Sequence, residues 1–251
     1  MDGTIYLEND LFDGTLDFLE YVKSIGGRYM FLTNNSSKSV DKYIEKLASL
    51  GIPSTAEDFL TSTNATILYL QKKSYKKIYA FGTKSFCEQL ADAGFNITTK
   101  LEDDIDCICM GNDQELTFQK LEDACILLNR GVDYVATNPD WVCPTWYGFV
   151  PDCGSVCQML TTVSGKKPLV IGKPRPEMVY AALEVSGFSA EEALMIGDRI
   201  YTDIACGVNA GIDTVLVLSG ETTAEEAAKS DIIPSRICED IKEIYKEFAE
   251  K

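Results

Sequence analysis

Two carboxylates follow a short apolar segment in the last third of the chain, and their spacing restricts the fold more than any other feature. Residues 193–196 are apolar, Gly197 interrupts them, Asp198 follows directly, and Asp203 comes five residues later. This pattern predicts a buried strand that ends at Asp198 and passes into a helix. In an open parallel α/β sheet, such a junction lies at the carboxyl edge, where ligands bind. The carboxylates could attract a cation there, although a helix cap at Asp198 and a solvated Asp203 would explain the segment equally well.

The composition excludes several classes of chemistry and of partner. The chain has 251 residues and a formal charge of −16, so neither nucleic acid nor an anionic membrane is an expected partner. It has no histidine, which excludes Ser-His-Asp and Cys-His catalysis. Its nine cysteines form no CxxC pair, which favours reduced thiols. Because no segment resembles a signal peptide or reaches the ~18 apolar residues of a spanning helix, we expect a cytoplasmic protein.

Strand and helix patterns alternate along most of the chain. Glycines close helical segments just before apolar residues at three places: Gly94, Gly187 and Gly211. Such alternation predicts an α/β fold with a doubly wound, mostly parallel, Rossmann-like sheet. A smaller α/β unit interrupts this pattern, with predicted strands at 77–81, 107–110 and 134–137. We therefore predict a discontinuous core, residues 1–74 and 168–251, and an inserted α/β cap domain, residues 75–167.

Two further patterns make local predictions. In the first predicted helix, apolar residues recur at helical spacing and predict its buried face: Leu16, Leu19, Val22 and Ile25. Residues 138–155 are rich in proline, glycine and aromatic side chains. That composition predicts an irregular, ordered functional loop.

Polar residues stand at the ends of four predicted strands: Asp2, Thr33 with Asn34, Lys173, and Asp198 with Asp203. Because the carboxyl ends of parallel strands meet at one sheet edge, we expect these residues to form one site. Carboxylates can hold Mg²⁺, whereas a hydroxyl, main-chain amides and a lysine can bind a phosphate group. Each residue could also be a cap, a turn former or a surface charge, but their combination favours a functional site.

These residues lie in four motifs that resemble, in order, those of the haloacid dehalogenase (HAD) superfamily of phosphatases. The motifs are Asp2-Gly3-Thr4, Leu32-Thr33-Asn34-Asn35, Gly172-Lys173-Pro174, and Gly197-Asp198-Arg199 with Asp203. The Thr-Asn-Asn and Gly-Asp-Arg triplets, the large insert and Thr137-Asn138-Pro139-Asp140 resemble its NagD / para-nitrophenyl phosphatase branch. The resemblance covers essentially the whole chain and implies a HAD-like core with a large α/β cap that closes over the site.

The resemblance implies a Mg²⁺-dependent phosphatase that works through an aspartyl-phosphate. Asp2 would be the general acid and base, and its main-chain carbonyl would bind Mg²⁺ together with Asp198 and Asp203. The family's nucleophile stands two positions before Asp2, so we expect it and its core strand upstream of Met1, outside the printed sequence. If the polypeptide instead begins at Met1, the alternative is an inactive HAD-like protein that binds phosphate or a metabolite.

The resemblance also implies how a small phosphorylated metabolite would be bound. The residues that would hold its phosphoryl group are Thr33, Asn34, Asn35 and Lys173. Asn138 and Cys143 would shape the pocket for the leaving group, and the cap favours a homodimer. A receiver domain also uses Asp, Thr and Lys at strand ends, but it needs no insert of this size. A phosphomutase or phosphonatase of the same superfamily stays an alternative.

Overall fold

The structure is a computed structural model, and it describes residues 1–36, 40–145 and 147–249. The strands are, in chain order, β1 (Tyr6–Leu7), β2 (Asp10–Leu11), β3 (Phe31–Thr33), β4 (Phe59–Thr61), β5 (Ile78–Phe81), β6 (Ile97–Thr98), β7 (Cys107–Met110), β8 (Asp133–Ala136), β9 (Val142–Thr145), β10 (Gly148–Pro151), β11 (Leu169–Val170), β12 (Leu194–Gly197), β13 (Asp213–Val217) and β14 (Arg236–Cys238). The helices are α1 (Thr15–Ser24), α2 (Val40–Ser49), α3 (Ser62–Gln71), α4 (Lys84–Asp92), α5 (Phe118–Arg130), α6 (Cys153–Ser164), α7 (Glu177–Ser186), α8 (Ala205–Ala210), α9 (Ala224–Lys229) and α10 (Ile241–Ala249).

Contacts between residues divide the chain into two compact units. Unit 1 comprises Met1–Leu32, Val40–Leu60 and Lys173–Lys251, and unit 2 comprises Thr33–Ser39 and Thr61–Gly172. The domain bounds derived from the sequence stay a prediction. Within the described ranges, no helix combines the length and the apolar character that crossing a bilayer requires.

Unit 1 contains a parallel sheet in the order β12-β13-β14. Its core joins side chains from α1, α2, α10, β3 and β13, among them Phe18, Leu47, Ile244, Phe31 and Val215. Apolar strands that alternate with amphipathic helices bury the most apolar surface in this layered arrangement. The α/β fold predicted from the sequence is therefore confirmed for this part of the chain.

The buried face of α1 agrees with the predicted one only in part, because Leu19 is buried and Val22 packs against the core but Leu16 and Ile25 do not. Thr15, Phe18 and Leu19 are buried, whereas Leu16 is 47% exposed and Ile25 is 63% exposed. The helix is turned so that the ring of Phe18 enters the core. A phenylalanine ring buries more apolar area than a leucine side chain does, so the spacing of leucine, isoleucine and valine alone missed Phe18 and included two exposed residues.

A cavity of about 440 Å³ lies within unit 1, and most of its lining is apolar. Phe31 of β3 and Ile196 of β12 contribute to its wall, and so do the polar residues Lys173 and Asp203. β12 is the edge strand of its three-stranded sheet, and β3 pairs with β4 in a separate two-stranded sheet. The apolar interior of unit 1 thus extends to two charged side chains close to the carboxyl end of β12.

Unit 2 contains a five-stranded parallel sheet in the order β11-β8-β7-β5-β6. β5, β7 and β8 match three of the strands predicted from their short apolar runs. Four buried side chains line one core between the sheet and helices α5 and α6: Phe81, Met110, Leu127 and Leu160. A parallel sheet covered by helices is the α/β arrangement that the alternating pattern predicts for the insert.

A β-hairpin occupies part of residues 138–155, where an irregular loop was predicted. β9 and β10 pair antiparallel, with Cys143 opposite Val150. The loop prediction was wrong for these residues because Pro144 and Pro151 argue against a strand inside a sheet. A proline is tolerated on an edge strand, and a two-stranded hairpin has only edges.

Asp152 caps helix α6 and is buried, with 7% of its surface exposed. Its carboxylate accepts a hydrogen bond from the Cys153 N–H at 2.5 Å. Burial raises the pKa of Asp152 to about 6, and the nearby charge of Asp140 acts in the same direction. Hydrogen bonds from the Cys153 N–H and from Asn138 act in the opposite direction. The folded protein therefore holds a proton on Asp152 more tightly than the unfolded chain does.

This pKa predicts how stability changes with pH. A carboxyl group in an unfolded chain has a pKa of ~3.9, so Asp152 stabilises the fold fully below that pH. The contribution is lost as the pH rises from there through about 6. Asp152→Asn removes the charge and keeps an oxygen that can cap α6. At pH 7.5 we expect this variant to be more stable than the wild type by about 1–3 kcal/mol, with a much smaller difference near pH 4.

Urea unfolding of both proteins at several pH values measures this difference. Asp231→Asn, at an exposed position, is the control and should follow the wild type. A difference between Asp152→Asn and wild type that is constant over the whole pH range would contradict the prediction.

Candidate active site

Asp198 follows directly after β12, as the sequence predicts, and is 4% exposed. The Thr4 hydroxyl donates to its Oδ1 at 3.0 Å, and the Glu221 N–H donates to its Oδ2 at 3.1 Å. Hydrogen bonds to an ionised acceptor are stronger than those between neutral groups. Two donors from distant parts of the chain thus hold a buried carboxylate at the end of the strand.

Two glycines allow the backbone to approach this carboxylate closely. A Cβ atom at Gly3 would lie 2.4 Å from Asp198 Oδ2, and one at Gly220 would lie 2.2 Å from the same oxygen. Gly3 also has a φ of +81°, a conformation that is strained for other residues. The Ser219 hydroxyl donates to the Gly3 carbonyl at 2.8 Å and joins the two segments. The pocket around Asp198 therefore requires glycine on two sides.

A single π-helical turn, Ile200–Ile204, follows Asp198 and returns Asp203 to the strand end. The Arg199 carbonyl accepts hydrogen bonds from the N–H groups of Asp203 at 2.9 Å and Ile204 at 3.2 Å. A Cβ atom at Gly197 would lie 2.3 Å from Asp203 Cβ, so the turn packs tightly on the end of β12. Such wide turns are frequent at functional sites.

Lys173 and Asp203 form a buried ion pair. Lys173 Nζ donates to Asp203 Oδ1 at 2.6 Å, and each side chain is 10% exposed. Lys173 Nζ also donates to the Leu32 carbonyl at 3.3 Å. Burial by itself would raise the pKa of Asp203, but the charge of Lys173 and the hydrogen bonds from Lys173 and the Arg199 N–H hold that pKa below its ordinary value. The Asp203 carboxylate is therefore ionised at neutral pH.

The structure places Asp2 differently from the other predicted residues of unit 1. Its side chain is exposed, and its Oδ1 accepts the Glu8 N–H at 3.3 Å. Lys173, Asp198 and Asp203 instead form a buried cluster together with Gly3 and Thr4. Asp2 thus stands next in sequence to the cluster while its carboxylate faces solvent. The roles predicted for these residues stay predictions.

Three of the predicted residues of unit 2, Thr33, Asn34 and Asn35, lie at the end of β3 or directly after it. The Thr33 Oγ1 accepts the Asn35 N–H at 3.2 Å, and Asn34 is buried. Asn138 is fully buried, and its Nδ2 donates to the Asn34 carbonyl at 2.9 Å. Cys143 is half-buried in β9. The structure therefore brings Asn138 to Asn34, while the predicted contacts of Asn138 and Cys143 with a substrate stay predictions.

Sequence reasoning missed the backbone donors that surround Asp198. Residues 219–222 follow β13, which pairs parallel with β12, so both strand ends lie at the same sheet edge. The Ser219-Gly220 pair after an apolar run was the available signal. Thr4 belonged to a recognised motif, but its hydroxyl had no assigned partner. The Asp198 partner of that hydroxyl is 194 positions away in the chain.

The donor set of unit 1 fits Mg²⁺. Asp198 and Asp203 supply two carboxylates, and each of their oxygens has a further lone pair beyond the hydrogen bond that it accepts. Across the residues that the structure describes, no three His, Cys, Asp or Glu side chains gather into a metal-binding group. Mg²⁺ keeps several waters and commonly binds through one or two carboxylates, whereas Zn²⁺ prefers nitrogen and sulfur ligands, so a pair of aspartates suits Mg²⁺ better.

A parallel α/β fold with aspartates and a lysine at the carboxyl ends of its strands is typical of phosphate-processing proteins, and comparisons with known proteins identify which class this is. The family model for haloacid dehalogenase-like hydrolases matches residues 1–96, and a second, HAD-hydrolase-like model matches residues 170–244. Acid sugar phosphatase from Staphylococcus aureus is 33% identical over 249 residues, which cover 99% of this chain and 95% of that protein. The chain therefore belongs to the haloacid dehalogenase-like hydrolases.

Solved structures give the same result. The 4-nitrophenylphosphatase from Thermotoga maritima is 38% identical, with a TM-score of 0.90 over 98% of this chain and 94% of that one. A glycerol phosphate phosphatase from Mycobacterium tuberculosis, solved in complex with calcium, is 30% identical. Its TM-score is 0.89 over 97% of this chain and 72% of that one. These relatives confirm the NagD / para-nitrophenyl phosphatase resemblance and the assignment to the phosphatases, a class of hydrolases.

Proposed function

We propose that the chain hydrolyses a small phosphate monoester, such as a sugar phosphate or phosphoglycolate, in a Mg²⁺-dependent reaction through an aspartyl-phosphate. The observation that carries the proposal is the buried cluster of Lys173, Asp198 and Asp203 next to the end of β12. Its relatives include an acid sugar phosphatase and a glycerol phosphate phosphatase, which supports a small phosphorylated metabolite as substrate.

Lys173 would bind the phosphoryl group through its compact ammonium charge. Phosphoryl transfer depends mainly on positioning and on neutralising the phosphoryl oxygens. Asp203 holds the Lys173 ammonium in place, so the lysine needs little reorganisation when substrate arrives. Asp198 and Asp203 would hold Mg²⁺, which supplies further positive charge to the phosphoryl oxygens. The calcium complex of the glycerol phosphate phosphatase supports a divalent cation in this family.

Asp2 would act in proton transfer. Its exposed carboxylate can donate a proton to the leaving-group oxygen and then accept one from the attacking water. The nucleophile of the proposed aspartyl-phosphate would be an aspartate two positions before Asp2. Thr33, Asn34 and Asn35 would add hydrogen-bond donors for the phosphoryl group. Within unit 2, Cys143 would contribute to the leaving-group pocket, and a homodimer remains part of the proposal.

A phosphate-release screen of a polypeptide that includes the aspartate two positions before Asp2 tests this proposal. The panel would contain sugar phosphates, phosphoglycolate, glycerol phosphate and 4-nitrophenyl phosphate, each assayed with Mg²⁺ or with EDTA. We expect turnover with Mg²⁺, a loss on the order of 10²-fold or more with EDTA, and recovery when Mg²⁺ is added in excess. Turnover that resists chelation would contradict the metal dependence. Binding of inorganic phosphate without turnover of any panel member would favour the inactive binding protein instead.

A further inference from the structure

The side chain of Asp140 contacts Asn34 inside unit 2. The Asn34 Nδ2 donates to Asp140 Oδ1 at 3.1 Å, although the two residues are 106 positions apart. An ionised carboxylate accepts hydrogen bonds and donates none, so Asp140 selects the orientation of the Asn34 amide in which the nitrogen faces it. The opposite end of that amide faces Gly172, where a Cβ atom would lie 2.7 Å from Asn34 Oδ1. Both ends of the Asn34 amide are therefore defined by their surroundings.

The main chain of Asn34 is held as firmly as its side chain. Its carbonyl accepts two hydrogen bonds, one from Ser62 Oγ at 2.7 Å and one from Asn138 Nδ2 at 2.9 Å. Ser62 and Asn138 are both fully buried. The two donors come from different segments of the chain. The position of Asn34 therefore depends on more than the loop that contains it.

Asp140 is itself fixed by its backbone. Its N–H donates to Asn138 Oδ1 at 3.0 Å, and its carbonyl accepts the Gly154 N–H at 2.8 Å. A Cβ atom at Gly154 would lie 2.1 Å from the Pro139 carbonyl oxygen, so this turn is packed against the start of α6. These backbone contacts do not involve the carboxylate, and replacing the Asp140 side chain should leave the turn intact.

We propose that Asp140 is a positioning residue that orients the Asn34 amide for the phosphoryl group, with Asn138 and Ser62 holding the Asn34 backbone. The inference rests on the proposed function, because it takes from it the role of Asn34. It extends that function by assigning to Asn138-Pro139-Asp140 the role of holding and orienting Asn34 within unit 2. The Asn138 amide is engaged by the Asn34 carbonyl and the Asp140 N–H, which suits support of Asn34.

Kinetics of three single variants test the proposal. Asp140→Ala removes the acceptor, and we expect kcat/KM to fall on the order of 10²-fold, the scale of a misplaced binding group. Asp140→Asn keeps an oxygen that can accept from Asn34, so its loss should stay below about tenfold. Asp133→Asn is the matched control, because Asp133 also accepts one side-chain hydrogen bond, from the Tyr75 hydroxyl, and it should retain wild-type kinetics.

A double-mutant cycle separates positioning from a general structural effect. In an Asn34→Ala background, adding Asp140→Ala should lower kcat/KM by less than about twofold, because the amide that Asp140 orients is already absent. An undiminished loss in that background, or full activity of Asp140→Ala in the wild-type background, would overturn the proposal.

A readout that needs no activity keeps this inference distinct from the proposed function. In ¹⁵N–¹H correlation spectra of the full chain, the Asn34 side-chain amide signals are assigned by their loss in Asn34→Ala. These signals should shift in Asp140→Ala, shift less in Asp140→Asn and stay unchanged in Asp133→Asn. If the wild type turns over no phosphate ester, the proposed function fails, and these signals alone decide whether Asp140 orients Asn34. An unshifted signal in Asp140→Ala overturns the inference in either case.

Discussion

Replacing Lys173 with methionine is expected to lower kcat/KM on the order of 10²–10³-fold and to destabilise the fold by about 3–5 kcal/mol. Methionine keeps much of the length of the side chain and fits the mostly apolar wall of the cavity that Lys173 lines. The loss of activity follows from the missing ammonium charge at the phosphoryl group. The loss of stability follows because Asp203 stays buried at 10% exposure without its ionic partner.

The double variant Lys173→Met/Asp203→Asn distinguishes these two effects. Removing both charges should restore most of the stability, since a buried ion pair contributes little beyond offsetting its own desolvation. Activity should not recover, because the cation that we propose binds the phosphoryl group is still absent. Urea unfolding gives the stability, and phosphate release gives the activity. A Lys173→Met protein with wild-type kinetics, or a double variant that regains turnover, would contradict the role of Lys173.

The strands that the sequence predicts correctly share one physical property. β5 and β7 are short apolar runs that are followed by glycine and buried on both faces, so their pattern does not depend on their neighbours. The β9–β10 hairpin lacks this property, since Trp141 and Phe149 are 59% and 71% exposed and proline interrupts both strands. Its pairing depends on contact between the two strands, and a pattern within one strand does not show that contact.

The residues of the candidate site differ in the same way: some could be identified from the sequence, and others could not. Asp198, Asp203 and Lys173 could be selected because each stands at the end of a predicted strand or in a turn beside one. The π-helical turn that brings Asp203 back to the end of β12 could not be predicted, because an α-helix and a π-helical turn have the same local sequence signals. The partners of Asp198 come from Thr4 and from the Glu221 backbone. A backbone donor carries no residue-type signal, so only the folded chain shows it.

Asn138 shows a different limit of sequence reasoning. The family resemblance implied that Asn138 shapes the pocket for the leaving group, and this role stays a prediction. In the structure its amide is buried and binds the Asn34 carbonyl and the Asp140 N–H. A buried amide needs partners for both its ends, and the sequence does not show whether those partners are protein groups or a ligand.

Asp198→Asn is expected to lower kcat on the order of 10³-fold and to weaken Mg²⁺ binding, while the fold stays close to that of the wild type. Asparagine has the shape of aspartate, and its oxygen can accept the Glu221 N–H in place of Asp198 Oδ2. Its amide nitrogen would then face Thr4, whose hydroxyl can rotate to accept the hydrogen bond that it now donates. The substitution thus removes the charge of the proposed Mg²⁺ ligand while it keeps one hydrogen bond to each of the two partners.

A Mg²⁺ titration of the initial rate, supported by calorimetry of Mg²⁺ binding, checks this prediction. The Mg²⁺ concentration for half-maximal activity should rise on the order of tenfold to a hundredfold, and excess Mg²⁺ should restore only part of the rate. Thr4→Val is the matched control, because it removes one hydrogen bond to Asp198 and keeps the carboxylate charge. Its loss should be much smaller than that of Asp198→Asn. Equal losses in the two variants would mean that the hydrogen bond, and not the charge of Asp198, is what the site requires, and the assignment of Asp198 as a Mg²⁺ ligand would fail.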